Sequence, residues 1–167
     1  MLIRDFEEKI DMTAVRNCLV ELQDFERGLD PRLPSGTEIV DEYIPHMMKR
    51  CRECEGKVLV AEVDGEVVGY ATILTRVKSE ELEDGDIEYG LISDVVVLEK
   101  FRNMGLGKKL LQEAESYARA CEVKWLRIGV FADNQSAATL YLSMGFSNLY
   151  VELEKNLASS QRRLTNR

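Results

Sequence analysis

The chain has 167 residues, of which 45% are hydrophobic and 31% are charged, a composition typical of one soluble globular domain. Its formal net charge of −8 argues against general nucleic-acid binding, which needs a basic surface. No apolar run is long enough to span a bilayer, and the charged start Met1-Leu2-Ile3-Arg4-Asp5 is unlike a signal peptide. We therefore expect a cytoplasmic protein that binds neither nucleic acid nor membrane.

Helical and extended patterns alternate in the first half of the chain. In order, they predict a strand over residues 3–6, a helix from Asp11 or Thr13 to Phe25, a helix over 38–50, and strands over 57–63 and 67–77. We expect the second helix to be interrupted near Pro45, because proline lacks the amide proton that a helix interior needs. Asp64-Gly65-Glu66 predicts a hairpin between the two strands.

The second half of the chain continues the same mixture of patterns. In order, it predicts a solvated acid-rich loop over 79–86, a long strand over 87–98, a helix from Leu106, a strand over 125–130, a short helix over 136–143 and a final strand over 146–153. The elements together predict a mixed-sheet α/β or α+β domain over residues 1–157. We expect residues 158–167 to be a polar C-terminal tail.

The most informative segment lies between the long strand and the helix that follows it. The strand leads into Arg102-x-x-Gly105-x-Gly107, and Lys108 and Lys109 follow in the first helical turn. Backbone N–H groups at such a turn can converge on an anion. Lysines at a helix start oppose the helix dipole, which is unusual unless a negative ligand is bound there. We therefore predict a phosphate site, although glycines in a loop can also serve backbone freedom alone.

A second segment carries a capped helix. Asn134 or Ser136 can cap it, and Gly145 is well placed to end it. Four apolar or aromatic residues share one face at helical spacing, namely Ala137, Leu140, Tyr141 and Met144. From spacing alone, Tyr141 is expected to be a core residue.

These two segments together resemble the GNAT superfamily of N-acetyltransferases, which transfer an acetyl group from acetyl-CoA to an amine. The matching pieces are residues 94–111, with a strand, R-x-x-G-x-G and a helix, and residues 134–146, with N-x-x-A-x-x-L-Y-x-x-x-G-F. The resemblance implies a mixed, mostly antiparallel central sheet of about six to seven strands, flanked by about four helices. It also implies that residues 1–157 form a single N-acetyltransferase domain.

The resemblance implies roles for individual residues. The backbone of Val95 would contact the acetyl carbonyl, which an N–H group polarises, and the backbone of Val97 would contact the pantetheine arm. Tyr141 would protonate the departing thiolate, and Arg102 would mainly fix the loop that holds the pyrophosphate. The implied cofactor-binding residues are Val95, Val96, Val97, Arg102, Asn103, Met104, Gly105, Leu106, Gly107, Lys108, Asn134 and Tyr141. The family commonly has glycine at the position of Asn103 and a basic residue at that of Met104.

The general base stays open among three acids. An alkyl ammonium with a pKa of about 10 must lose a proton before it can attack, and the candidates are Asp94, Glu88 and Glu66. Asp94 lies inside an apolar run, where an unpaired carboxylate would be costly. That position suits a catalytic role, and it suits a structural hydrogen bond to a neighbouring loop equally well.

The implied activity is transfer of acetyl to a primary amine by direct attack in a ternary complex. The acceptor would be a polyamine-like or aminoglycoside-like small molecule or a lysine-bearing peptide, and homodimers are common in the family. A non-catalytic acetyl-CoA sensor or regulatory module on the same fold is the alternative, but such a module needs no proton donor at Tyr141. We expect no metal, because Cys51-x-x-Cys54 has only His46 near it and lacks a second ligand pair.

Overall fold

The computed structural model describes residues 1–79 and 81–158. The chain divides into two compact units between Asn134 and Gln135. The expectation of one domain over residues 1–157 stays a prediction. Of the predicted polar tail, residues 159–167 lie outside the described residues, as does Glu80 of the acid-rich loop.

The first unit contains a sheet flanked by three helices, and the second unit contains one helix. In chain order the elements are β1 (Leu2–Asp5), α1 (Glu8–Leu29), α2 (Gly36–Glu53), β2 (Lys57–Val63), β3 (Glu66–Lys78), β4 (Glu88–Val97), α3 (Leu106–Ala120), β5 (Leu126–Ile128) and α4 (Gln135–Ser143). Short 3₁₀ turns occupy Leu82–Asp84 and Glu99–Phe101. The sheet order is β1-β2-β3-β4-β5, antiparallel except between β4 and β5.

The predicted fold class is confirmed, but the strand count is lower than expected. Within the described residues the sheet has five strands rather than six to seven, and the final strand predicted over 146–153 is not formed. Its apolar side chains are exposed, with Leu149 at 65% and Val151 at 74%. A segment with strand propensity forms a strand only where a neighbouring strand supplies hydrogen bonds and packing. Residues 146–153 have no such neighbour in the described structure.

The predicted interruption at Pro45 is wrong, because α2 runs through it as one helix. Its start is fixed by a capping box in which the Ser35 N–H donates to Glu38 Oε2 at 2.7 Å. The helix then buries one face at regular spacing, made of Val40, Ile44, Met47 and Cys51. Burial of that face offsets the hydrogen bond lost at the proline, which costs about 3 kcal/mol in an isolated helix.

The predicted hairpin is confirmed between β2 and β3. Asp64 and Gly65 both have positive φ, at 51° and 83°, which is the conformation of a two-residue turn matched to strand twist. Helices α1 and α2 pack on one face of the sheet, against Val60, Tyr70 and Leu74. Helix α3 also contacts β2, β3 and β4, but its buried residues are not part of the hydrophobic core cluster that α1 and α2 form with the sheet. Helix α3 therefore lies on the opposite face of the sheet.

A β-bulge at Ser93 changes which side chains of β4 face the helices. Thr72 pairs with Asp94, but the next residue, Ile73, pairs with Ile92, so Ser93 is an extra residue in β4. Cross-strand partners share a face of the sheet. The bulge therefore turns Asp94 toward α1 and α2 and Ile92 toward α3.

Candidate active site

Strands β4 and β5 separate part-way along β4, which leaves an open strand edge. Their pairing ends at Ile92 with Ile128, whereas β4 continues to Val97. The N–H group of Leu98 donates to Val68 of β3 at 2.9 Å. Because backbone groups alternate in direction along a strand, the N–H and C=O groups of Val95 and Val97 point to the open edge.

The turn between β4 and α3 leaves a row of amide groups without protein acceptors. The N–H group of Arg102 donates to Glu99 O at 3.1 Å, and the next backbone bond is from Lys109 N to Gly105 O at 3.1 Å. Within the described part of the chain, the intervening N–H groups of residues 103–108 donate to no protein acceptor. A row of free amides at a helix N-terminus is an anion-binding arrangement.

Two left-handed residues shape this turn. Asn103 has φ of 64° and Gly105 has φ of 81°, and Gly105 is the residue before α3 begins. Alternation of right- and left-handed residues curves successive N–H groups into a concave nest. Lys108 and Lys109 are exposed in the first turn of α3, and that turn has no acidic residue to compensate their positive charge.

The side chain of Arg102 ties the turn to α1. Its Nε donates to Val97 O at 3.0 Å, and its Nη2 lies 3.3 Å from Glu21 Oε1. The guanidinium carbon is 5.3 Å from the centroid of the Phe25 ring. Glu21 Oε1 also accepts the N–H of Glu99 at 2.6 Å. These contacts engage the guanidinium with the strand end and with α1.

Asp94 is buried on the α1 and α2 face, with 5% of its surface exposed. The Tyr43 hydroxyl donates to its Oδ1 at 2.6 Å, and the Ser93 hydroxyl donates to its Oδ2 at 2.8 Å. Burial raises the pKa of Asp94 above its ordinary value of 3.8, and the hydroxyl hydrogen bonds oppose that shift. A structural hydrogen bond is therefore present, although it comes from α2 rather than from a loop.

The structure does not bring the other two candidate bases to the open edge. Glu88 begins β4 and forms an ion pair with Arg76 at 2.8 Å. A rise of about 3.3 Å per residue places it roughly 20 Å from Val95. Glu66 begins β3 and lies 3.4 Å from Lys100 Nζ in an exposed ion pair.

In the second unit, α4 covers the predicted helix and ends before Gly145, whose φ is 91°. Tyr141 has 8% of its surface exposed, and its ring centroid lies 6.2 Å from that of Phe146. Asn134 is the last residue of the first unit, and its N–H donates to Phe131 O at 2.9 Å. The contacts of Tyr141 and Asn134 with a cofactor stay predictions.

Cys51 and Cys54 are free thiols at the end of α2. Burial raises the pKa of Cys51 to about 11, which keeps it protonated and unreactive at neutral pH. Among the described residues, no cluster of three or more His, Cys, Asp or Glu side chains could hold a metal ion. The helices of the described ranges include none that is both long and apolar enough to cross a membrane.

Comparison with known proteins identifies the family. Residues 21–146 match the Acetyltransferase (GNAT) family. The chain belongs to this family. An uncharacterized N-acetyltransferase of Archaeoglobus fulgidus is 31% identical over 119 residues, 70% of this chain and 76% of that protein. An N-alpha-acetyltransferase of Sulfurisphaera tokodaii is 31% identical over 114 residues, which span 65% of each protein.

A solved GNAT-fold structure agrees with this assignment. The ribosomal-protein-alanine N-acetyltransferase of Brucella melitensis superimposes with a TM-score of 0.67 and 28% identity, covering 88% of this chain and 85% of that one. The GNAT family implies acetyl-CoA as a co-substrate. The free amides of residues 103–108 and the open edge of β4 fit such a molecule, because its pyrophosphate needs N–H donors and its pantetheine arm carries amide groups that can pair with a strand edge.

Sequence reasoning missed three residues of the site. Tyr43 was not singled out, because its partner Asp94 is 51 positions away. Glu21 and Phe25 resembled ordinary positions of an amphipathic helix. Their arrangement one helical turn apart on α1, on the side that faces the turn, is a signal only once the position of Arg102 is known.

Proposed function

We propose that this protein is an acetyl-CoA-dependent N-acetyltransferase that moves an acetyl group to a primary amine of a small molecule or a peptide. The observation that carries the proposal is the row of free amides at residues 103–108, directly beyond the open edge of β4. Pyrophosphate on the amides and pantetheine along the edge would direct the acetyl group toward Val95, at the point where β4 and β5 separate.

Each part of the turn has a role in this proposal. The amides of residues 103–108 bind the pyrophosphate, and Lys108 and Lys109 add positive charge near it. The N–H of Val95 donates to the acetyl carbonyl and polarises it. Arg102 is a positioning residue, because its guanidinium is already engaged by α1 and by Val97 O.

The reaction proceeds by direct attack. The acceptor nitrogen forms a bond to the acetyl carbon, the bond from that carbon to sulfur breaks, and the acceptor proton passes to a base. Asp94 is the proposed base because it is adjacent to Val95 and burial raises its pKa. Tyr141 donates a proton to the leaving thiolate; a phenol with a pKa of about 10 is suited to that transfer.

Turnover can be measured directly by following free thiol while the protein is mixed with acetyl-CoA and a panel of amines. Spermidine, an aminoglycoside and an alanine-starting peptide with a lysine side chain cover the proposed acceptor chemistries. We expect thiol release with at least one of them. Binding of CoA without turnover of any amine would contradict the proposal and would favour a sensor.

Replacement of Tyr141 tests the proton donor. We expect Tyr141→Phe to lower kcat by about 10²- to 10⁴-fold, the usual contribution of a general acid, with CoA affinity by calorimetry unchanged. Tyr150→Phe is the control, because Tyr150 lies in the same unit with 79% of its surface exposed. Equal activity of both variants would remove Tyr141 from the chemistry.

A further inference from the structure

Four elements bring titratable side chains together between the sheet and helices α1 and α2. We call Glu26 of α1, Tyr43 of α2, Tyr70 of β3 and Asp94 of β4 the acidic cluster. Tyr43 donates to Asp94 at 2.6 Å. Tyr70 lies two residues from Thr72, the register partner of Asp94, so both side chains occupy the same face of the sheet.

Glu26 continues the buried face of α1. It follows Val15, Leu19 and Leu22 at spacings of eleven, seven and four residues, which place all four on one side of the helix. Burial and the negative charge of Asp94 both raise the pKa of Glu26. Within residues 1–79 and 81–158, the Glu26 carboxylate has no ion pair or hydrogen bond.

Tyr70 supplies an independent observation. Its side chain is fully buried, and its hydroxyl has no hydrogen-bond partner in the described part of the chain. Burial raises the pKa of this hydroxyl, and the negative charges of Asp94 and Glu26 raise it further. Because buried hydroxyl groups in folded proteins are nearly always paired, an orphaned one in an acidic cluster has an unfilled hydrogen bond, which a ligand donor can supply.

No cation of the described ranges pairs with the cluster. Arg50 acts on Asp94 and Tyr43 through its charge, but it forms no ion pair among the described residues. The carboxylates of Glu26 and Asp94 repel each other where solvent screening is weak, and a bound cation between them would reduce that repulsion. The group that fits is therefore a cation that also carries N–H donors.

We infer that the acidic cluster binds the ammonium group of the acceptor, with the Glu26 carboxylate and the Tyr70 hydroxyl as hydrogen-bond acceptors. This inference rests on the proposed function and specifies its substrate class, a primary alkylammonium. The ammonium enters beside Glu26, which is half-buried, and it reaches Asp94, one residue from Val95. A polyamine end and a lysine side chain share this chemistry.

Glu26→Gln tests the charge in this site. We expect the KM for spermidine to rise by about 10- to 100-fold, because a hydrogen bond to a charged group contributes about 1.5–3 kcal/mol, while the KM for acetyl-CoA is unchanged. Glu8→Gln, an exposed position at the start of the same helix, should leave both constants unchanged. A peptide with one lysine and a blocked N-terminus, run in parallel, shows which source of alkylammonium the site takes.

Tyr70→Phe separates ligand binding from folding. Removal of an unpaired buried hydroxyl should leave the thermal unfolding midpoint unchanged or raise it, yet raise the KM for the amine several-fold. A lower midpoint with an unchanged KM would show a purely structural hydroxyl and would overturn the inference.

Two outcomes keep the inference distinct from the proposed function. If the wild-type protein acetylates an amine and Glu26→Gln has the same amine KM, the inference fails alone. If the wild type acetylates no amine, the proposed function fails. Calorimetry of spermidine against the CoA-bound protein then decides the inference, since an equal Kd for wild type and Glu26→Gln would overturn it.

Discussion

The turn after β4 and the acidic cluster both adjoin the C-terminal part of β4, but the chain builds them in opposite ways. The turn uses backbone amides of consecutive residues, 103–108, which span the loop before α3 and the first turn of that helix. The cluster uses buried side chains from four elements, and its shortest contact joins residues 51 positions apart. The comparison teaches that the proposed cofactor site is encoded by a local stretch of sequence, whereas the proposed acceptor site depends on tertiary packing.

The largest expected effect is on stability, and it tests whether the acidic cluster is held together by individual side chains. Asp94→Ala leaves the Tyr43 and Ser93 hydroxyls without their acceptor, so we expect a loss of about 2–3 kcal/mol in the free energy of unfolding. Urea denaturation measures it. Asp41→Ala, which removes an exposed ion pair from the same helix as Tyr43, should change stability by less than about 1 kcal/mol. Equal losses would contradict the comparison.

An intermediate effect tests whether the turn depends on backbone conformation rather than side chains. Gly105→Val forces a β-branched residue into a left-handed conformation, which costs about 1–2 kcal/mol, and shifts the neighbouring amides. We expect CoA affinity by calorimetry to fall about tenfold. Met104→Ala, at an exposed side chain, should leave it within about twofold. A similar loss in both variants would show that side chains of the turn bind the cofactor.

The smallest effect concerns pH. Because burial raises the pKa of Asp94 above 3.8, its contribution to stability is present below that pH and is lost as pH rises through the folded-state pKa. Asp94→Asn removes this titration, so its stability relative to wild type should increase as pH rises above about 4. Urea denaturation across this range measures the trend.

Asp11 provides the control of opposite sign. Its pKa is lowered, chiefly by the hydrogen bond from Arg4, so its contribution is present above 3.8 and is lost as pH falls through the folded-state pKa. Asp11→Asn should therefore lose stability relative to wild type as pH rises. Trends of the same sign in both variants would contradict the pKa assignments.

The parts of the fold that the sequence predicted are those in which local chemistry decides the structure. The hairpin at Asp64 and Gly65 and the turn before α3 follow from residues that favour positive φ. The sequence did not predict that α2 continues through Pro45, because packing of the helix on the sheet outweighs the hydrogen bond lost at the proline. The predicted strand over 146–153 does not form, because its local pattern favours a strand but no neighbouring strand among the described residues pairs with it.

The same division applies to the candidate site. The amide row could be anticipated from Arg102-x-x-Gly105-x-Gly107 and the helix that follows it. Glu26 and Tyr70 could not be, because a glutamate on an amphipathic helix and a tyrosine in a strand are common. Their significance depends on the β-bulge at Ser93, which turns Asp94 toward both of them. No residue type at this position predicts a bulge.

In the proposed function, Glu21 would link the sites of the two substrates. One carboxylate oxygen holds both Arg102 and the N–H of Glu99, and it belongs to the same helix as Glu26. An acceptor that shifts α1 would therefore alter the turn that holds the cofactor. By thermodynamic linkage, the cofactor would change acceptor affinity by the same factor. The order in which the two substrates bind would then be a property of α1.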